Sequence, residues 1–478
     1  MSLKHSLKWS FLSELASKAI QPLVFVVLAR LLTPADFGVV TAATMVVAFS
    51  QLFWEAGMAK AIIQRQSDVE TAANAAFWIN VSFGAVVALA LYASATPIAS
   101  YVFHDGRVAP VLRVMSLQVL LGAVSSIHAA LLQKEMRFRQ LFWVRLATVA
   151  LPGLASIPLA YGGLGYWALV AGTVIGQAVQ VVMLWAMSRW RPRWAFDAAA
   201  AREMVRFGAW VGLSGLLAWF YGWADSLIVG THLGSDELGL YRGGNQVSTM
   251  IYGILFTPVV PVLYSHLARI GGEPKRLAGE FEKIVRILAI TAIPFAFTLF
   301  AIAEPLSLAL FGDRWKGVGF VMSVLALSHG IAWTVGMNGE AYRAIGRPRY
   351  ETLAMGLPLI VYVCIYVVAI RQGFTVFVWS RMLAMAVGFG FQLYLLNRVL
   401  GIHLGRIGWT IAKVTLFMLG SVALTKTYLA PQLPGPVATT VGLAAANISA
   451  YLLVLYLTER KGLIADYRAI VSSRASND

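Results

Sequence analysis

Leu32-Thr33-Pro34-Ala35-Asp36-Phe37-Gly38 returns 201 residues later as Leu233-Gly234-Ser235-Asp236-Glu237-Leu238-Gly239. Each copy is a short polar break between two long apolar runs, opened by leucine and closed by glycine. Two further pairs follow in the same order. Pro97 to Phe103 with Asp105 parallels Pro305 to Phe311 with Asp313, and Arg137-Phe138-Arg139 parallels Arg347-Pro348-Arg349. The offsets, 201, 208 and 210, drift as small insertions would make them. Each match alone is short, but their shared order predicts an internal duplication.

The runs between these breaks decide the fold class. Of 478 residues, 59% are hydrophobic and 13% charged, with a mean hydropathy of +0.72. That leaves too little polar surface to coat a water-soluble globule. A membrane-spanning helix needs roughly 20 mostly apolar residues. Fourteen such segments are found, near 9–31, 37–59, 74–96, 110–132, 141–160, 165–187, 207–232, 240–266, 284–303, 317–340, 352–370, 375–396, 409–429 and 437–457. The expectation is an all-α polytopic membrane protein with 14 transmembrane helices. Helices 1–6 match helices 7–12, giving two pseudo-symmetric six-helix lobes plus two C-terminal helices. The N-lobe is 1–187, the inter-lobe linker 188–206, the C-lobe 207–396, and 397–478 holds helices 13 and 14 with a tail. Six spans per copy relate the lobes by an axis along the membrane normal, the parallel-repeat plan of a rocking transporter.

An even span count places both termini on one side. Most of the 38 Lys and Arg residues fall in loops on that side, which makes it cytoplasmic. The formal charge of +16 is therefore topological, and it points to anionic headgroups rather than nucleic acid, because the basic residues are spread over separate loops. Glu14 and Lys18 interrupt the first apolar run, so a cleavable signal peptide is not expected. The single cysteine, Cys364, is expected to be a packing residue. In the linker, Trp190 and Trp194 among arginines read equally as an interfacial segment or a solvated connection.

The wording of the loops carries a family resemblance. Leu28-Ala29-Arg30-Leu31 leading into the Leu32 to Gly38 break, then Glu55-Ala56-Gly57 and Ala61-Ile62-Ile63-Gln64-Arg65, resembles the opening of the polysaccharide-transport family. Asp225-Ser226-Leu227-Ile228-Val229-Gly230, continued by Leu233-Gly234 and Leu238-Gly239-Leu240-Tyr241, resembles the start of that family's second lobe. Glu55 stands where Asp or Asn is usual, which keeps the acidic character. The family belongs to the multidrug/oligosaccharidyl-lipid/polysaccharide exporter superfamily. The resemblance implies a flippase for undecaprenyl-pyrophosphate-linked oligosaccharides in the bacterial inner membrane, serving O-antigen, capsule or exopolysaccharide assembly alongside a polymerase and other assembly proteins. No cofactor is implied. A peptidoglycan-precursor flippase and a multidrug/cation antiporter of the same superfamily are the neighbouring readings. A membrane polysaccharide polymerase or glycosyltransferase is the rival from another class. Against catalysis stand the short outer loops and the lack of a nucleotide-binding glycine loop, a metal-ligand cluster or a Gly-x-Ser-x-Gly nucleophile motif.

Charge inside the apolar segments marks the candidate residues. Glu14 and Lys18 lie four apart in helix 1, with Gln21 extending the same face. Lys18 and Gln21 could meet the pyrophosphate or glycan and Glu14 an ion, or the charged pair could be a neutralised structural one. Asp225, flanked by Trp219, Tyr221 and Trp223, is an ion-coupling candidate or an interhelical hydrogen-bond acceptor. Arg381 suits pyrophosphate or snorkels, and Arg30 and Arg145 suit pyrophosphate or anchor helix ends. His128 could relay protons or fill a bundle hydrogen bond, as could His329. Glu55 and Glu340 could gate the cytoplasmic side with Lys60 or Arg343, or be ordinary interfacial acids. Trp143, Tyr161, Tyr166, Trp167, Trp185, Trp315, Trp379 and Trp409 read as an aromatic belt. Pro258, Pro261, Pro294 and Pro358 read as hinges.

Overall fold

The computed structural model describes residues 3–55, 57–194 and 197–475. Among them there is no strand. The first helices are α1 (Leu3–Leu31), α2 (Pro34–Trp54), the short α3 (Met58–Gln64), α4 (Val69–Pro97), α5 (Val108–Lys134), α6 (Phe138–Tyr161) and α7 (Tyr166–Met187). Then come α8 (Ala198–His232), α9 (Ser235–Phe256), α10 (Val260–Arg269), α11 (Pro274–Phe311), α12 (Val318–Thr334) and the short α13 (Asn338–Ala344). The last are α14 (Arg349–Ile370), α15 (Phe374–Leu400), α16 (Leu404–Leu424) and α17 (Gly435–Ala475). Among the described residues, 12 helical stretches are long and apolar enough to cross a membrane. The expected spans at 9–31 and 207–232 lie inside α1 and α8, helices of 29 and 35 residues that are not among those 12.

Proline and glycine explain where expected runs break. The run 240–266 divides into α9 and α10 at a single 3₁₀ turn, Thr257–Val259, because Pro258 has no N–H to continue the ladder. The run 37–59 ends at Trp54, and Gly57, at φ +72°, turns the chain into α3. Pro294 and Pro358, by contrast, sit inside continuous helices. At the other end of the linker, α8 already begins at Ala198, earlier than the expected edge at 207.

The chain groups into two compact units. The first is Met1–Met250 with Leu310–Lys316 and Val363–Phe377, and the second is Ile251–Ala309 with Gly317–Tyr362 and Val378–Asp478. Within the first, α6 and α7 meet through small residues. A Cβ on Gly172 would collide with Ser156, and one on Gly176 with the Pro152 ring. In lipid, where apolar surface gains nothing by leaving the solvent, such close backbone approach is what drives association. The second unit has a core of Tyr252, Phe256, Phe281, Leu288, Leu299 and their neighbours. Tyr252 donates to the Ala326 carbonyl at 2.8 Å and stacks on His329. On its flank, Tyr451 of α17 donates to the Ile290 carbonyl of α11 at 2.6 Å, and Asn447 bonds Ser421 and Thr425. Interhelical bonds of this kind are worth on average about 0.6 kcal/mol each in a bilayer.

Candidate functional site

The duplicated break is a helix start built to be touched by another helix. Thr33 caps α2 through its hydroxyl, which accepts from the Asp36 N–H, while Asp36 Oδ2 accepts from the Thr33 N–H at 2.9 Å and Pro34 takes the first helical position. The other carboxylate oxygen accepts from the Tyr166 N–H at 3.1 Å, tying the start of α7 to the start of α2. The glycine that closes the motif has a different task. A Cβ on Gly38 would strike the carbonyl of Ser235, and a Cβ on Gly239 would strike the carbonyl of Pro34. With the offset of 201, these are the same contact made twice in opposite senses, so α2 and α9 cross backbone to backbone about a local pseudo-two-fold.

Contacts around the crossing also come in repeat-related pairs, with different chemistry. After α4, Asp105 accepts from the Ser235 hydroxyl at 2.6 Å and is bridged by Arg107 at 2.8 Å. After α11, two residues beyond Asp313, the counterpart of Asp105, Trp315 donates its indole N–H to the carbonyls of Ala29 and Leu32 at 2.7 and 3.2 Å, and Arg314 donates to Leu31. Phe25, Phe37 and Phe311 pack edge-on or tilted around the Trp315 ring. Trp315 is 1% exposed, which corrects its placement in the aromatic belt. It lies near a helix end, as belt residues do, but is enclosed by the first copy of the motif and the end of α1. The belt reading describes Tyr161 and Trp409, at 84% and 71% exposed, far better.

The α8–α9 hairpin carries a polar cluster inward from this end. Asp225 is buried. One of its oxygens accepts from the Tyr241 hydroxyl at 2.8 Å, the other from the N–H and hydroxyl of Ser226 at 2.6 and 3.1 Å. Half-buried Arg242 stands over the Trp223 ring with its guanidinium carbon 4.1 Å from the centroid, and reaches the Ser226 hydroxyl at 3.4 Å. A buried charge normally requires bonding of this completeness. Arg242 lies seven residues into α9, about 10 Å along its axis at 1.5 Å per residue. Sequence reading missed it, because the motif Leu-Gly-Leu-Tyr-Arg looks like a loop edge; its spacing of one residue from Tyr241 was the available signal.

The remaining candidates are distributed. Lys18 is half-buried and Gln21 exposed on α1, and Arg145 is exposed on α6. The Glu14 side chain lies outside the described residues. Arg30 donates to the Leu310 carbonyl at 2.7 Å and so belongs to the crossing. His128 is fully buried and stacked on Trp185 at 4.5 Å, with Phe77 and Trp190 edge-on. Neither of its ring nitrogens has a hydrogen-bond partner among the described residues. Glu55 closes the C-terminal end of α2. Burial pushes its carboxyl above the ordinary range, and Lys60 draws it partly back. Arg381 and Glu340 belong to the second unit. There Glu340 pairs with Arg343 at 2.6 Å within α13, and Arg343 also reaches Glu351 at 3.4 Å and faces the Tyr264 ring. Cys364 is exposed on α14 beside the exposed Ile360, Val361 and Val368, so it lies on a face expected to meet lipid rather than in the packed core.

A family model described as polysaccharide biosynthesis protein matches residues 27–319, which include both copies of the motif and the Asp225 cluster. The chain belongs to this family. Relatives of this polysaccharide biosynthesis protein include the succinoglycan biosynthesis transport protein ExoT of Rhizobium meliloti, 27% identical over 68% of this chain and 65% of its own. The teichuronic acid biosynthesis protein TuaB of Bacillus subtilis is 24% identical over 71% of each chain. The lipopolysaccharide biosynthesis protein WzxC of Escherichia coli is 24% identical over 67% of this chain and 65% of its own. The alignments thus span just under two thirds of ExoT and WzxC. Among solved structures, the lipid II flippase MurJ in an inward closed conformation superposes with a TM-score of 0.77 over 96% of this chain and 99% of that one, at 12% identity. An inward-facing multidrug resistance MATE family transporter gives 0.61 over 80% and 95%, at 13% identity. The fold of the family member is therefore the one shared by that flippase and that transporter.

Proposed function

We propose that this chain is a flippase that moves undecaprenyl-pyrophosphate-linked oligosaccharide units across a bacterial inner membrane by alternating access. The observation that carries the reading is the cluster of Asp225, Tyr241, Ser226, Arg242 and Trp223, set about 10 Å inward from an end where two repeat-equivalent helix starts cross. A polyprenyl tail can stay in lipid, but a pyrophosphate and a glycan need cationic and hydrogen-bonding groups at membrane depth. Arg242 offers a planar fork of donors suited to phosphate oxygens, held in place by the indole beneath it. Lys18, Arg30, Arg145, Arg381 and Gln21 are the further cavity candidates. Asp225, with Glu14 and His128, is the candidate for ion coupling, as a buried carboxylate that accepts from the Tyr241 and Ser226 hydroxyls.

In this reading the chain has fourteen spans in two six-helix lobes plus two flanking helices, both termini are cytoplasmic, and the crossing of α2 and α9 is the closed outer side. Glu55 and Glu340 then sit at the cytoplasmic side as gate residues. The names of ExoT, TuaB and WzxC support a place in surface-polysaccharide assembly. The experiment is lipid extraction from cells deleted for the gene. Undecaprenyl-linked glycan should accumulate on the cytoplasmic leaflet while the polymer disappears. Loss of polymer without that accumulation would overturn the reading.

A further inference from the structure

The segment leaving α7 is pinned to the protein: Trp190 packs inward on Phe77 and His128 and the Arg191 guanidinium lies over the Trp185 ring, while Arg189, Arg193 and Trp194 stand exposed. Its backbone is held twice by α4. The Arg193 N–H donates to Asn74 Oδ1 at 3.0 Å, and the Trp78 indole N–H donates to the Arg193 carbonyl at 2.8 Å. Arg191 turns back on the Ser188 and Trp190 carbonyls at 2.6 and 2.8 Å, fixing the extended course between them. On this strap Arg189, Arg191 and Arg193 are all exposed, and Glu70 pairs with Arg193 at 3.1 Å. Trp194 lies flat on Trp78 with centroids 4.1 Å apart, yet is 91% exposed.

An indole left that open is poorly placed in bulk water and well placed among headgroups, where an amphipathic ring finds both apolar and polar neighbours. The strap starts one residue after α7 ends, and the Asn74 and Trp78 that hold it lie in the opening turns of α4, so it occupies the level at which both helices leave the bilayer. Guanidinium forks match phosphodiester oxygens, and three arginines against one carboxylate leave a net positive strap. We propose that Arg189 to Trp194 forms a built headgroup site for an anionic phospholipid, in which arginines hold the phosphate and the Trp78–Trp194 pair covers the glycerol and upper acyl chain. The site is independent of the transported substrate, and its occupancy would fix the depth of unit 1 in the membrane.

Native mass spectrometry of the full chain released from nanodiscs of mixed phosphatidylglycerol and phosphatidylethanolamine tests this. The wild type should retain phosphatidylglycerol selectively. Each guanidinium contributes roughly fivefold to retention, so R189Q/R191Q/R193Q should erase the selectivity, whereas R189K/R191K/R193K should keep most of it. W194A, whose fold is checked by an unchanged melting temperature in detergent, should lower retention of both lipids. Retention of phosphatidylglycerol by the glutamine triple variant, or equal retention of the two lipids by the wild type, would overturn the site.

Discussion

Gly38 and Gly239 face each other's helix starts reciprocally, each occupying the place where a side chain would enter a carbonyl of the opposite first turn, Ser235 for one and Pro34 for the other. Because the obstacle is backbone rather than the tip of a flexible side chain, a methyl group at either position can be accommodated only by parting the helices. Inserting one into a fitted contact costs typically 1–3 kcal/mol. Gly38→Ala or Gly239→Ala should therefore shift the population toward the state open at this end by about fivefold or more. In a Cys364→Ser background with Ser235→Cys, a membrane-impermeant maleimide should label the glycine variants faster than the parent. Equal labelling would mean that the crossing is static.

Asp105 gives the same region a defined pH response. Burial alone would raise its carboxyl, but hydrogen bonds from Arg107 and Ser235 and the charge of Arg107 outweigh this and hold it below the ordinary value of 3.8. A carboxyl depressed in the fold contributes stability that is complete above its ordinary value and is lost as pH falls through the depressed one. Melting temperature should then show no loss from this group between pH 8 and pH 5. Arg107→Gln should move the acid loss upward toward the ordinary carboxylate range. An acid transition unmoved by that substitution would remove Asp105 from the account.

For the buried cluster, Asp225→Asn keeps the shape and can still accept from Tyr241, while abolishing the exchangeable charge. It should retain membrane insertion and most stability but lose polymer export. Tyr241→Phe removes one interhelical bond and should cost about 1 kcal/mol of stability, with partial export. If both variants export normally, the carboxylate serves only to join α8 to α9.

His128 separates two roles cleanly. A buried polar group without a partner costs about 1–3 kcal/mol, and replacing it by an apolar group of similar shape is close to neutral or stabilising. His128→Phe, packed on Trp185 in place of the imidazole, should leave export intact and raise the melting temperature slightly. Export abolished at unchanged stability would instead identify a proton carrier.

Trp315 can be tested through its indole N–H. Trp315→Phe keeps the ring against Phe25, Phe37 and Phe311 but leaves the Ala29 and Leu32 carbonyls without that donor. It should lower the melting temperature through a loss of about 1–3 kcal/mol and increase maleimide access at Ser235→Cys. No change in either would show that ring packing alone holds the contact.

How far the sequence could be read follows from what kind of signal each feature leaves. The paired motifs at Leu32 and Leu233 were visible because capping and close backbone approach demand particular residue types: threonine and aspartate for a capping box, glycine for a crossing. The break between α9 and α10 was visible because Pro258 stops a ladder locally. Side-chain direction left no such mark. A helix that meets protein on one face and acyl chains on the other is apolar all round, so its periodicity does not report which face is buried. That is why Trp315 read as a belt residue and proved enclosed, and Cys364 read as packed and proved exposed. Arg242 escaped notice for a related reason. Two turns from a helix end, a guanidinium is indistinguishable in sequence from one that snorkels, and only the Trp223 ring beneath it sets it apart.

A contact that recognises main-chain atoms makes no demand on the side chains that own them. Residue 34 is proline and its counterpart 235 is serine, although both present the same carbonyl to the same partner. Those two sites are therefore at liberty to differ, and so are the unlike fasteners at Asp105 and Trp315. The glycines have no such latitude, because only a missing side chain lets either carbonyl come so near.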